Sequence, residues 1–299
     1  MIFLNTNIKE NVTEGVELVS NEKITYNLEE FRFRFKFRFH RLLTIPISEM
    51  DFERLAAIYG VNAELIAAET AEIEAHNMAY AKKITEQTEL SCFGSVPQTR
   101  ILFLGDSITA DRKSYCEILK KVFAPWPQLQ VFDTAVPGYK ANDLYSCAYP
   151  ETYGIHADVA HIMVGTNDFI CSRETPFVHR VSVRDYEERL DYVVRHLIED
   201  GTKVILSSVP VFSAQLAEKS LKIYHKQFRE EDRLEYNRAV RAVAEKYGAV
   251  YNDMDGIYNA FLPEEITRED GYHLNEKGQE LMASAVLQHL INLLTTADR

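Results

Sequence analysis

The sequence predicts a three-layer α/β domain with a mainly parallel sheet, preceded by a small N-terminal α+β accessory module. Three observations predict it. From about residue 98 onward, short runs rich in Val, Ile and Leu recur without apolar-polar alternation, as strands buried on both faces require. Stretches of helical period separate them and supply the crossovers that parallel strands need. Before residue 97 the chain instead shows β-like alternation followed by two helical stretches, with "SCFGSVPQTR" at the change of character. The predicted boundary divides an accessory module at residues 1–97 from a larger domain at residues 98–299.

In the first part, "FRFRFKFRFH" places Phe31, Phe33, Phe35, Phe37 and Phe39 on one side and Arg32, Arg34, Lys36, Arg38 and His40 on the other. That period of two predicts a strand. A face of phenylalanines needs a cover. The chain's own core would provide it if the basic face pairs with acids such as Glu29 and Glu30; the alternative is a homodimer contact or an anion-binding stripe. "SEMDFERLAAIYG" then predicts a helix, with Ser48 and Asp51 as a capping pair and Gly60 as its stop. The Ala- and Glu-rich stretch from Asn62 towards Ile84 predicts a second. "RLAAIYGV" has a slight likeness to the start of a helix-turn-helix, but Glu64, Glu69, Glu72 and Glu74 follow and would repel phosphates. Packing or oligomerisation is the expected role of the module.

In the second part the strand candidates are Ile101–Leu104, Gln130–Thr134, Ala160–Val164, Val204–Val209 and Ala249–Asn252. Helical stretches lie near Ser114–Phe123, Val183–Glu199, Glu231–Tyr247 and Glu276–Leu294. In sheets of this kind, sites gather outside the carboxyl ends of the strands. The residues that follow the strands are therefore the informative ones: Gly105-Asp106-Ser107, Val136-Pro137-Gly138-Tyr139 and Gly165-Thr166-Asn167-Asp168. The final helix is preceded by "EDGYHLNEKG", where Asp270 and His273 stand three apart and Asn275 is placed to cap the helix.

Composition excludes several classes. A formal charge of −12 disfavours nucleic acid and anionic membrane as partners. Cys92, Cys116, Cys147 and Cys171 form no Cys-x-x-Cys pair and no zinc spacing with histidine, so they are expected as reduced thiols in a cytoplasmic protein. The opening apolar run is short for a signal peptide, and no later run has the length of a membrane span.

A serine hydroxyl becomes a nucleophile when a base takes its proton, a partner orients the base, and donors await the oxyanion. Ser107 fits the nucleophile, at a strand-to-helix corner expected to expose its oxygen above the sheet edge. His273 fits the base, with Asp270 accepting its Nδ1 proton. The backbone N–H groups of Ser107 and Gly138, with the side-chain amide of Asn167, fit the oxyanion hole. Asp106 is expected to bond the corner, and Asp168 to support the Asn167 loop. The other eight histidines show no partner pattern and are expected to be structural or exposed.

These blocks resemble the SGNH (GDSL-like) hydrolase superfamily: "GDSIT" with Ser107, "VPGY" with Gly138, "GTND" with Asn167 and "DGYH" with Asp270 and His273. The resemblance runs from about Arg100 to the C-terminus. It implies a flavodoxin-like sheet and hydrolysis of esters, thioesters or related acyl groups, without cofactor or metal. Residues 1–95 show no match to it. Rival classes fail on named residues. The Gly-x-Ser-x-Gly of an α/β-hydrolase is broken by Thr109. A metallophosphoesterase needs more ligands than Asp106, Asp168, Asp270 and His273. A flavodoxin-like flavin-binding module, the non-enzyme alternative, would place phosphate where Asp106 and Asp111 stand. The loop "FICSRETPFVHRVSV" and the stretch from Phe212 to Asp232 are expected to rim the pocket without a long apolar face. A small-molecule acyl ester such as an acetylated sugar is the expected substrate, with lysophospholipid or thioester cleavage as the alternative.

Overall fold

The computed structural model describes Arg34, Arg41 and residues 47–295. Its centre is a five-stranded parallel sheet of β1 (Thr99–Gly105), β2 (Leu129–Asp133), β3 (Val159–Met163), β5 (Lys203–Ser207) and β7 (Val250–Asn252). The order across the sheet is β2-β1-β3-β5-β7. Counted in chain order within this sheet, that is 2-1-3-4-5, the flavodoxin-type order. The remaining strands, β4 (Cys171–Ser172) and β6 (Lys226–Gln227), form an antiparallel pair outside it.

Alternation along the strands divides the core in two. Leu102, Leu104, Ile162, Val204 and Leu206 face one side, packed with α5 (Val183–Glu199), α6 (Ala214–Lys222) and α7 (Glu230–Tyr247). Ile101, Phe103, Val159, Met163 and Ile205 face the other, under α4 (Tyr115–Phe123) and α8 (Glu276–Thr295). With helices on both faces, β1 and β3 and most of β5 are buried, which is why those runs read as apolar, while the edge strand β2 stays partly open.

The predicted helices near residues 52 and 62 are present as α1 (Phe52–Tyr59) and α2 (Ala63–Gln87). The capping of α1 differs from expectation by one turn. Asp51 is itself the N-cap and accepts the Arg54 N–H at 3.1 Å, while Ser48 sits in the turn before it. Gly60 closes α1 in the left-handed conformation, with φ at 63°. The end of α2 joins the larger core: Ala81, Ile84, Leu90, Phe93 and Val96 pack in the same cluster as Ile101 and Phe103. Polar contacts reinforce the join. The Asn77 amide donates to the Arg112 carbonyl at 2.9 Å, and Arg112 donates to Thr70 Oγ1 at 2.7 Å.

The phenylalanines of "FRFRFKFRFH" lie outside the described residues, and so does the proposed dimer contact. Arg34, which is described, has helical rather than extended backbone. Its side chain is buried, not part of a solvated basic face. Nε donates to Asp111 Oδ1 at 2.9 Å, Nη2 pairs with Oδ2 of the same carboxylate, and Nη1 donates to Glu276 Oε1 at 3.3 Å. A buried carboxylate at Asp111 is balanced by this guanidinium.

Among the described residues, no helix is long and apolar enough to cross a membrane. All four cysteines are free thiols.

Candidate active site

Strand β1 ends at Gly105, where a Cβ would meet Thr109 Oγ1 at 2.3 Å and the Met163 carbonyl at 2.8 Å. Only glycine lets the chain pass so close before it turns. Asp106 then caps the single-turn helix α3 (Ser107–Ala110), its Oδ1 accepting the Ile108 N–H at 2.9 Å. This is the corner-bonding role expected of it. Ser107 is the first helical residue, so its N–H has no intrahelical acceptor.

At the other end of the chain, the loop before α8 brings a base to that serine. His273 Nε2 lies 2.8 Å from Ser107 Oγ, and His273 Nδ1 lies 2.6 Å from Asp270 Oδ2. A carboxylate only accepts, so Nδ1 carries the ring proton and Nε2 is left to accept from the serine hydroxyl. Asp270 Oδ1 accepts the N–H groups of Tyr272 and His273 at 3.1 and 3.0 Å. Burial pushes the Asp270 carboxyl up, but the His273 ring and these hydrogen bonds outweigh it and hold the group below the usual range. Asn275 caps α8 as expected, its Oδ1 accepting the Gly278 N–H at 3.0 Å.

Ser107 is 8% exposed.

The two remaining blocks lie beside it. Gly138 has φ at 88°, a conformation open to glycine, and is an exposed residue. Among the described residues, neither the Gly138 nor the Ser107 N–H has a protein acceptor. Asn167 donates through Nδ2 to the Tyr139 carbonyl at 3.1 Å, which places its amide against the Gly138 turn. Asp168 supports this loop as expected: its Oδ1 accepts the Ala141 N–H at 2.8 Å and so joins the third block to the second. Burial pushes the carboxyls of Asp106 and Asp168 up, to about 6 and about 7 respectively.

Three side chains have polar contacts to which the sequence assigns no specific partner. Arg180 donates through Nη1 to Asn167 Oδ1 at 3.3 Å. That contact fixes which side of the Asn167 amide carries the donors. His161, in the middle of β3, is buried between the Tyr115 hydroxyl at 3.1 Å and Ser207 Oγ at 2.7 Å. Burial pulls its pKa down to about 3, so the ring is neutral. Thr109 of α3 bonds the same tyrosine hydroxyl at 2.7 Å, which links the nucleophile helix to the sheet interior. His179 lies 3.1 Å from Asp232 Oδ2, with Cys171 nearby. His161 is thus one of the histidines expected to be structural, and its partners show no pattern in the sequence. The one signal in the sequence was His161 itself, a polar residue in an apolar run that needs bonding partners when buried. Cys171, His179 and Asp232 offer three metal-ligand atoms within 4.8 Å of one another. Arg229 already donates to Asp232 Oδ1 at 3.0 Å and supplies the positive charge a cation would bring.

A parallel sheet with this polar cluster beyond its carboxyl edge defines the class, an enzyme that hydrolyses ester bonds. The chain belongs to the GDSL-like Lipase/Acylhydrolase family, whose model matches residues 103–281. Solved structures agree in fold. A lipase/acylhydrolase from Enterococcus faecalis is 18% identical with a TM-score of 0.56, covering 67% of this chain and 100% of its own. The acetylxylan esterase Axe2 from Geobacillus stearothermophilus, a catalytic mutant, is 20% identical with a TM-score of 0.51, covering 65% of this chain and 95% of its own. The α/β hydrolase LAE5 from the metagenome of Lake Arreo, Spain, is 22% identical with a TM-score of 0.51, covering 64% and 95%. No curated protein sequence matches the chain.

Proposed function

We propose that the protein is a serine esterase that cleaves small acyl esters through an acyl-enzyme. The observation that carries this reading is the relay from Ser107 Oγ through His273 to Asp270, with separations of 2.8 and 2.6 Å. Ser107 Oγ attacks the ester carbonyl as His273 Nε2 takes its proton, and Asp270 stabilises the imidazolium that forms. The Ser107 and Gly138 N–H groups and the Asn167 amide hold the oxyanion. The alcohol leaves with the proton from His273, and water repeats the sequence to release the acid and restore the serine.

A short acyl group, such as acetyl on a sugar, is the favoured substrate. Phe169, Phe212, Phe228 and Tyr272 form a ring cluster that runs up to His273, with centroid separations of 4.8 to 5.3 Å from Phe228 to its neighbours. Filled space beside the base suits a small acyl group better than a long chain. The acetylxylan esterases among the fold relatives support the same choice. Lysophospholipid or thioester cleavage is the second reading, favoured by the exposed Phe177 and Val178 in the loop after β3.

A panel of p-nitrophenyl esters from two to twelve carbons tests the proposal. Activity is expected to peak at the short end and to vanish in Ser107→Ala. A peak at eight carbons or more would overturn the short-acyl choice, and full activity in Ser107→Ala would overturn the mechanism.

A further inference from the structure

The small β4–β6 sheet carries two cations whose placement the hydrolytic steps leave unexplained. Cys171 pairs across to Gln227 on one side and His179 on the other. Side chains alternate along a strand, so Lys226, opposite Ser172, and Arg180, opposite Ile170, lie on the other face, close enough for the Arg180 charge to act on Lys226. Arg180 is anchored there by its own N–H, which donates to the Ile170 carbonyl at 3.1 Å. Phe228 follows Lys226 at the same spacing of two, and its ring meets Tyr272 at 5.3 Å. The Tyr272 ring in turn stacks against His273 at 4.6 Å. This face therefore borders the base, while Arg180 touches Asn167.

Neither cation forms an ion pair among the described residues. The acids of these segments are engaged elsewhere: Glu174 with His225, Glu218 with Arg173 and Asp232 with Arg229. Two cations without a carboxylate partner, placed beside the Ser107–His273 cluster, leave room for an anion in a chain of formal charge −12. Burial and the neighbouring Arg180 charge both pull the Lys226 ammonium below its ordinary range. An anion between them would relieve that repulsion.

We propose that Arg180 and Lys226 form an anion subsite, and that the preferred substrate is an ester bearing a carboxylate or phosphate close to the scissile bond. The subsite rests on the ester-hydrolase reading above and narrows its substrate. Because Arg180 is hydrogen-bonded to Asn167, a group held by Arg180 lies next to the carbonyl whose oxygen Asn167 receives. The anion belongs to either the acyl or the alcohol part, and the test separates the two.

The test compares charged and neutral partners of one size. The acyl arm sets p-nitrophenyl hemisuccinate against p-nitrophenyl butyrate; the alcohol arm sets 4-acetoxybenzoate against 4-acetoxybenzamide. Wild type should prefer the charged ester in one arm by roughly tenfold or more in kcat/KM, as a charge-assisted hydrogen bond implies. Lys226→Gln and Arg180→Gln should bring that ratio close to one, and Lys226→Arg should restore it. A ratio near one in both arms for wild type would overturn the subsite and leave the esterase reading standing. Turnover of no ester at all would overturn the esterase reading. The subsite would then be judged by thermal shift with succinate and with inorganic phosphate. Stabilisation of wild type that Lys226→Gln loses supports it, and no stabilisation overturns it.

Discussion

Replacing Arg34 with Met should destabilise the protein far more than any exposed substitution. The Arg34 side chain is 1% exposed and Asp111 0%, so the guanidinium and its carboxylate partner are both out of water. Without Arg34, Asp111 keeps the Lys113 N–H at 2.9 Å but loses its paired charge. An uncompensated buried charge of this kind costs about 3–5 kcal/mol, a large share of the roughly 5–15 kcal/mol that holds a typical domain together. The double variant Arg34→Met/Asp111→Leu removes both charges and should recover most of the loss. Urea unfolding is the assay, read from the single tryptophan, Trp126, which packs edge-on against Phe93 at a centroid distance of 5.5 Å. A loss below about 1 kcal/mol in the single variant, or a double variant as unstable as the single, would refute the argument that a buried pair joins the N-terminal segment to the nucleophile corner.

Asn167→Ala should lower kcat by about a hundred- to a thousandfold with the fold intact, as expected when one oxyanion donor is removed; stopped-flow ester hydrolysis measures it. Asp270→Asn should abolish most turnover while circular dichroism stays unchanged, because the amide permits the wrong tautomer of His273. The Asp168 carboxyl, raised from 3.8 to about 7 by burial, binds its proton more tightly in the folded state, so its contribution to stability is full below about pH 4 and is lost as pH rises through about 7. Wild type should accordingly lose up to about 1.4 kcal/mol per pH unit from this group across that window, and Asp168→Asn should not; urea midpoints at pH 5 and pH 8 compare the two. An equal pH slope in both proteins would contradict the assignment.

The main sheet was legible because β1, β3 and β5 are buried along most of their length and read as apolar runs. All five predicted strands stand within two residues of their observed bounds at the start, as with Ile101–Leu104 against Thr99–Gly105. The β4–β6 pair was not legible. Two-residue strands carry no pattern of their own, and Cys171 meets Gln227 only because the surrounding loops are folded back by the Phe169, Phe212 and Phe228 contacts. Ser107, Asp270 and His273, which are hydrogen-bonded to one another, and Asn167, which bonds the turn that holds Gly138, stand out in the sequence because each sits where a strand or loop ends in an unusual polar block. Arg180 and His161 escaped because their roles depend on neighbours 13 and 46 residues away, Asn167 and Ser207, that no local spacing reveals. The alternating pattern gives no sign of the buried pairing of Arg34 with Asp111, which lies 77 residues away.

The most direct test of the account is covalent labelling with a fluorophosphonate, followed by peptide mass mapping. Such a probe reports a serine whose hydroxyl is activated by a base. The account predicts one equivalent of label on Ser107 in wild type, none in Ser107→Ala, and labelling slowed by orders of magnitude in His273→Ala. A wild-type protein that stays unlabelled, or a label mapped to any other serine, would contradict it.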